Sequence, residues 1–514
     1  MCFRKKLTDR IYYKKSKPME GGNARVYNAR FKGEDGFVVK ILNETKGKEA
    51  VKKLKRFKTE IKTVSDLLAN CKGVIPILEY DFDRKTDKFY LMPFAKRIDE
   101  YFKDREQSNN TEIVKQKVKA ILEISETLEV LHNMDIHHRD IKPENLFFYN
   151  NSFCLSDFGL VDVPNKEGIT KDNERIGPQG YIPPEMLYGS FGADFKKVDL
   201  YELAKTLWAL LANKKAGFSG KYNPDDKTMG LTFLFATPVH LVEIEDLLVK
   251  FTENDPNLRP NISEFKKLLQ NWLTISENGI LQAKSQWNHI NNKLFPTQKP
   301  ETAIFKEIDT IISVINYTGR QPGLNHMMHP SGGGMTFKSA KPASEQGFIE
   351  IELLEKNAME SVGIHCPNIV LKPKKLYLEN ISPNSTWNYF RLEAETIEPI
   401  STKQSEYSEY LFVLPDGTYT SSPQKAFPMP KTIERLLGGV LLFVSKYSIY
   451  NQTSATYDAR HSKMNYETFK LYMTLSKVIN EIHPEKYDCI FNKYNFPIEP
   501  EAMLDLIQKE LEYQ

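Results

Sequence analysis

The chain has 514 residues, more than one hydrophobic core accommodates, so a division into domains of about 100–200 residues each is expected. Hydrophobic residues make up 40% and the net charge is only +3, which gives no electrostatic case for nucleic acid or an anionic membrane as the main partner. The five cysteines are scattered without a CxxC pair, against a disulfide framework or zinc site, and no apolar run reaches the roughly 18 residues of a membrane span; a cytoplasmic protein without a membrane anchor is expected.

Strand-like segments at 25–30 and 36–42 flank a turn at 33–36, and a lysine- and glutamate-rich helix follows over 47–69. From residue 111 the pattern turns helical, with apolar residues three and four apart over 111–133, 197–213, 238–251 and 261–272. A β-rich lobe over 1–95 and a helical lobe over 96–275 are therefore expected. A polar helix-like stretch and the junction Phe295-Pro296-Thr297-Gln298-Lys299-Pro300 are assigned to a linker, 276–300.

Beyond the linker, strands at 348–354, 369–378, 387–394 and 410–414 and helices at 432–447, 465–483 and 501–512 predict a separate α+β domain over 301–514. Ser331-Gly332-Gly333-Gly334 lacks the Gly-Lys-Ser/Thr of a phosphate cradle and is read as a loop. His326, His329 and His365 lack ligand-spaced company and are assigned to the surface.

The chemistry concentrates in His138-Arg139-Asp140-Ile141-Lys142-Pro143-Glu144-Asn145, followed by Asp157-Phe158-Gly159. Phosphoryl transfer needs in-line positioning, metal ions on the phosphates and an acceptor for a hydroxyl proton, and these carboxylates and amide supply such a set. The segment resembles the eukaryotic-like, bacterial-type Ser/Thr protein kinase family over about residues 10–275. That resemblance implies a bilobal α+β kinase fold, ATP with Mg2+ (or Mn2+) as cofactors, and protein substrates.

By the same resemblance, Asp140 accepts or orients the substrate hydroxyl proton, Lys142 steadies the γ-phosphate, and Asn145 and Asp157 hold the metal. Lysine two residues after Asp140 favours serine or threonine as acceptor. Phe37-Val38-Val39-Lys40 looks like the family's third strand, with Lys40 on the α- and β-phosphates and Glu60 as its partner. Gly21 and Gly22 fall in a phosphate-covering loop whose first and third glycines are replaced by Met19 and Ala24. Val26 and Val38 roof the adenine, and Met92-Pro93-Phe94-Ala95 resembles the hinge, so Met92 and Phe94 join the nucleotide site.

Downstream, Glu185 is expected to pair with Arg259, and Asp199 to brace the catalytic loop. Pro178 stands where the family has threonine, which puts rate and substrate choice in question. Arg139 beside Asp140 implies control by phosphorylation, and Thr170 is the only Ser or Thr between Gly159 and Pro183. Two other readings stay open: a pseudokinase scaffold that binds nucleotide without transfer, and a small-molecule kinase. The domain over 301–514 resembles nothing by sequence; a regulator or substrate bound there, and a role in signalling or phage defence, are expectations of the domain plan.

Overall fold

The computed structural model describes residues 4–14, 19–20, 24–43, 47–105, 110–163, 180–187, 192–354, 367–422, 431–447 and 459–482. Two compact units share the chain: Met1–Thr237 with Glu243–Thr274, and Pro238–Val242 with Ile275–Gln514. Gly21, Gly22, Thr170, Pro178, His365 and the helix expected at 501–512 lie outside the described residues.

The first unit opens with strands β1 (Arg4–Lys6), β2 (Ile11–Lys14), β3 (Met19–Glu20), β4 (Ala24–Phe31), β5 (Glu34–Leu42), β6 (Glu79–Asp81) and β7 (Phe89–Pro93). They form an antiparallel sheet in the order β1-β2-β4-β5-β7-β6, with β3 on β4. The β4–β5 hairpin closes through Lys32 and Gly33, both at positive φ (51° and 90°), as the right-handed twist of a two-residue connection requires.

Alternation divides β5 between two faces. Val39 and Ile41 pack with Ile11, Ala29, Phe89 and Leu91, whereas Leu42, on the face shared with Val38 and Lys40, meets Tyr90 and helix α1 (Lys48–Lys62). A π-turn, Thr63–Leu67, continues α1 where the sequence suggested uninterrupted α-helix.

The larger lobe holds β8 (Lys96–Arg97), α2 (Ile98–Lys103), α3 (Asn110–Asn133), β9 (Leu146–Tyr149), β10 (Ser152–Leu155), α4 (Phe195–Leu211), α5 (Leu231–Leu234), α6 (Val242–Phe251) and α7 (Ile262–Ser276). Every residue of α4 from Val198 to Leu211 is buried, so this helix is the central post of the lobe. Its N-cap Asp194 accepts from the Lys196 amide, and its polar residues Asp199, Glu202, Lys205 and Thr206 must all find partners inside the protein.

The second unit contains α8 (Gly279–Leu294), β11 (Thr302–Phe305), α9 (Ile308–Gly319), β12 (His326–Met328), β13 (Gly334–Pro342), β14 (Ile349–Leu353), β15 (Asn368–Leu371), β16 (Pro373–Glu379), β17 (Tyr389–Ala394), β18 (Ser408–Val413), β19 (Tyr419–Thr420), β20 (Thr432–Leu436), β21 (Gly439–Val444) and α10 (Tyr466–Ile482). The strands make one sheet ordered β11-β16-β17-β21-β12-β13-β14-β15-β20-β18-β19. Trp287 and Ile290 of α8 and Ile311 and Ile315 of α9 are buried with Phe337, Ile351, Phe390 and Phe443 of the sheet.

Three features depart from the sequence reading. The helix expected over 432–447 is the strand pair β20 and β21, turned at Gly438 and Gly439, whose φ values of 151° and 95° suit glycine. The stretch 276–300, read as a linker, carries α8, which the second unit needs to close its core. His329, assigned to the surface, is buried, with Nδ1 2.6 Å from Ser331 Oγ and Nε2 3.2 Å from Glu434.

Among the described residues no helix is long and apolar enough to cross a membrane. Because Trp287 is 1% exposed, Trp287→Ala is expected to destabilise the second unit by about 3–5 kcal/mol, read from its transition in chemical denaturation of the full chain.

Candidate active site

Glu60 is one of three fully buried residues of α1, with Phe57 and Ile61, and it faces Lys40 on β5. Lys40 Nζ lies 2.9 and 3.2 Å from the two Glu60 carboxylate oxygens and 3.0 Å from Asp157 Oδ1. Burial alone would lower the Lys40 pKa, but the charges of Asp157 and Glu60 outweigh it and hold the ammonium well above its ordinary value. Burial raises Glu60 above the usual carboxylate range despite Lys40, whereas at Asp157 the burial effect is overcome by Lys40 and the carboxyl is held low.

Tyr90 completes this cluster: its hydroxyl donates to Glu60 Oε1 at 2.7 Å. The sequence reading missed it, although the ladder sets Tyr90 opposite Lys40 and two residues before Met92 on the same strand face.

Asp157 adopts a left-handed backbone (φ 63°, ψ 67°), and Phe158 is buried edge-on to His138 at 4.8 Å. Gly159 follows so closely that a Cβ there would stand 3.2 Å from Asp157 Oδ1. The catalytic-loop candidates converge on Asp140. Lys142 Nζ lies 2.9 and 3.0 Å from its carboxylate oxygens, and Asn145 Nδ2 donates to its Oδ2 at 2.9 Å and to its backbone carbonyl at 2.8 Å.

A carbonyl can only accept, so the Asn145 NH2 faces Asp140 and its Oδ1 is the atom directed elsewhere. One amide oxygen and the Asp157 carboxylate are hard oxygen donors of the kind Mg2+ takes, in a number that leaves the rest of its shell to phosphates and water. The donor set therefore fits a magnesium ion, which Asn145 Oδ1 and the Asp157 carboxylate would hold.

Asp199, fully buried in α4, holds this loop. Its carboxylate accepts the His138 amide at 3.0 Å, the Arg139 amide at 2.7 Å and His132 Nε2 at 3.0 Å. Against the upward push of burial, these donors hold its pKa below the ordinary range. Arg139 takes φ 63°, a conformation its two-amide anchorage imposes. One turn later Glu202 accepts the Ile141 amide at 2.8 Å; burial and the nearby Asp199 charge raise its pKa well above the usual carboxylate value.

Glu185 and Arg259 form a two-pronged pair at 2.6 and 2.9 Å, with the guanidinium fully buried. Val38 is buried opposite Met92 in the ladder, and Val26 stands opposite Lys40. At the hinge, the Phe94 amide donates to the Gly36 carbonyl at 2.8 Å and the Phe94 side chain is 52% exposed, so that amide is already engaged.

A β-rich lobe carrying a lysine–glutamate pair, set against a helical lobe carrying Asp140, Asn145 and Asp157, defines a phosphotransferase of the protein kinase type. The chain belongs to the protein kinase domain family, which matches residues 13–289, more than half of its length.

A serine/threonine-protein kinase of Acanthamoeba polyphaga mimivirus is 27% identical over 221 residues, 40% of this chain and 77% of that protein. The Aurora kinase of Schizosaccharomyces pombe is 28% identical over 257 residues, 48% of this chain and 68% of that protein. A serine/threonine-protein kinase of Clostridium perfringens is 29% identical over 203 residues, 37% of this chain and 27% of that protein. The chain covers only 20% and 16% of two similar Dictyostelium discoideum kinases.

Removing the Asp199 carboxylate strands three buried donors. Asp199→Ala is expected to cost about 3–5 kcal/mol of stability in urea denaturation. Because the Asp199 pKa is depressed, its contribution is present above the ordinary carboxylate range and lost as pH falls through the folded value. The gap between wild type and variant should therefore narrow toward acid pH.

Proposed function

We propose that this chain transfers the γ-phosphate of ATP to serine or threonine hydroxyls of protein substrates. The observation that carries the reading is the meeting of two groups from distant parts of the chain: Lys40, held by Glu60, lies 3.0 Å from Asp157, which stands 117 residues away in sequence. In this reading Lys40 binds the α- and β-phosphates. Asp140 orients the acceptor hydroxyl and takes its proton, and Lys142, now on Asp140, swings its ammonium toward the transferred phosphoryl group. Asn145 Oδ1 and Asp157 would hold a magnesium ion, which when bound would neutralise phosphate charge.

The adenine lies between Val26 and Val38, beside Met92. By resemblance to the family hinge, the backbone of residues 92–95 reads the base edge, with the Phe94 amide already engaged by the Gly36 carbonyl. The second unit, most of which lies past residue 289 where the family match ends, recruits a substrate or regulator.

Arg139 supports control by phosphorylation. Its guanidinium is buried over the Phe195 ring at 4.2 Å, and its Nε and Nη2 have no hydrogen-bond partner among the described residues. Burial lowers its pKa, so a phosphate is a favourable counter-charge. Thr170 is the residue we assign to carry it.

Transfer of labelled γ-phosphate to a generic basic protein is the decisive measurement. Asp140→Asn is expected to lower kcat by on the order of 10²-fold or more, and Lys40→Ala to reduce transfer while raising the KM for ATP. Nucleotide binding without transfer in the wild-type chain would overturn the reading. Thr170→Ala is expected to lower activity about tenfold or more and to remove one site from the phosphopeptide map; full activity would dismiss Thr170 as the switch.

A further inference from the structure

Helix α1 has little to fix it at its ends. It begins at Gly47 without a side-chain cap, and after Lys62 it loosens into a π-turn. Besides Thr63 and Val64 in that turn, its placement rests on the three residues it buries, Phe57, Glu60 and Ile61. Tyr90 meets two of them: its ring stacks on Phe57 with centroids 5.4 Å apart, and its hydroxyl donates to Glu60 Oε1 at 2.7 Å. The same ring lies 5.4 Å from Lys40 Nζ.

Tyr90 is itself 2% exposed and sits on β7, paired across the ladder with Lys40, so the sheet fixes donor and lysine together. Glu60 Oε1 thus receives two donors from neighbouring strands: the Lys40 ammonium from β5 and the Tyr90 hydroxyl from β7. A carboxylate at 3% exposure has no water to replace a lost donor. Among the described residues, the charges that act on it most strongly are those of Lys40 and Asp157.

We propose that Tyr90 is a positioning residue for phosphoryl transfer, its hydroxyl and ring clamping Glu60 and Phe57 so that the sheet itself holds α1 where Glu60 can aim Lys40 at the phosphates. Kinetic expression of this role rests on the kinase reading above; the clamp itself does not. Burial keeps the phenol protonated well above its ordinary pKa, so the donor persists across the working pH range.

Tyr90→Phe removes one oxygen and keeps the ring, which makes it the test, paired with Glu60→Leu, which leaves no acceptor, and the double variant in the full chain. Tyr90→Phe is expected to lower kcat/KM for ATP about tenfold and to shift the acid limb of its pH profile upward, because Glu60 loses a donor to its charged form. In the Glu60→Leu background the same change should cost less than twofold, since the group it positions is already gone.

Amide hydrogen exchange over residues 48–62 supplies a readout independent of activity: faster in Tyr90→Phe, at least as fast in Glu60→Leu, and no faster in the double variant than in Glu60→Leu. Equal kinetic losses in both backgrounds, or α1 exchange unchanged by Tyr90→Phe, would overturn the proposal. A wild-type chain without transfer would sink the kinase reading instead, and exchange would still decide the role of Tyr90.

Discussion

A carboxylate sealed from water must find all its donors in the protein, and Asp199 finds them in the backbone of the catalytic loop. That single requirement organises the larger lobe. The central helix α4 is buried on every side, so Asp199 cannot turn to solvent, and the amides of His138 and Arg139 are drawn onto it. The left-handed backbone at Arg139 follows from this anchorage and sets the direction in which Asp140 leaves the loop. Lys142 and Asn145 then close on Asp140 from within the same short stretch, so its carboxylate is oriented before any substrate arrives.

The smaller lobe solves a different problem, because its key charge comes from a strand and must be aimed across a cleft. Lys40 is surrounded by two carboxylates, one on α1 and one following β10, and its ion pairs join elements that share no ladder. Such a cluster is costly to bury and gains from excellent geometry. Glu60 has that geometry because Lys40 and Tyr90 are ladder partners. The Lys40–Asp157 contact, at 3.0 Å, adds a second tie between the strand and the segment after β10.

How much was legible follows from how local each feature is. Asp140, Lys142, Asn145 and Asp157 lie in contiguous motifs whose spacing is itself the signature, and Lys40 could be placed from its strand. Tyr90 could not be found this way, since its importance depends on the register between β5 and β7 and on which turn of α1 faces the sheet. The strand pair β20 and β21 was misread as helix for a related reason. β21 lies between β17 and β12 and is buried along nearly its whole length, so Val440-Leu441-Leu442-Phe443-Val444 shows no alternation to betray a strand. His329 was unreadable because Glu434, its buried neighbour, is remote in sequence.

The pairing of β21 also bears on the order in which the chain can fold during synthesis. The first unit has all its residues by Thr274. The second places β21 between β12 and β17 and joins β15 to β20 in parallel, so its sheet cannot be completed until residues beyond 430 have emerged. Until then the sheet that covers Trp287 and Ile290 of α8 lacks the contribution of Leu436, Leu441 and Phe443. The first unit therefore has its whole sequence available while the second still waits for the strands that close its sheet.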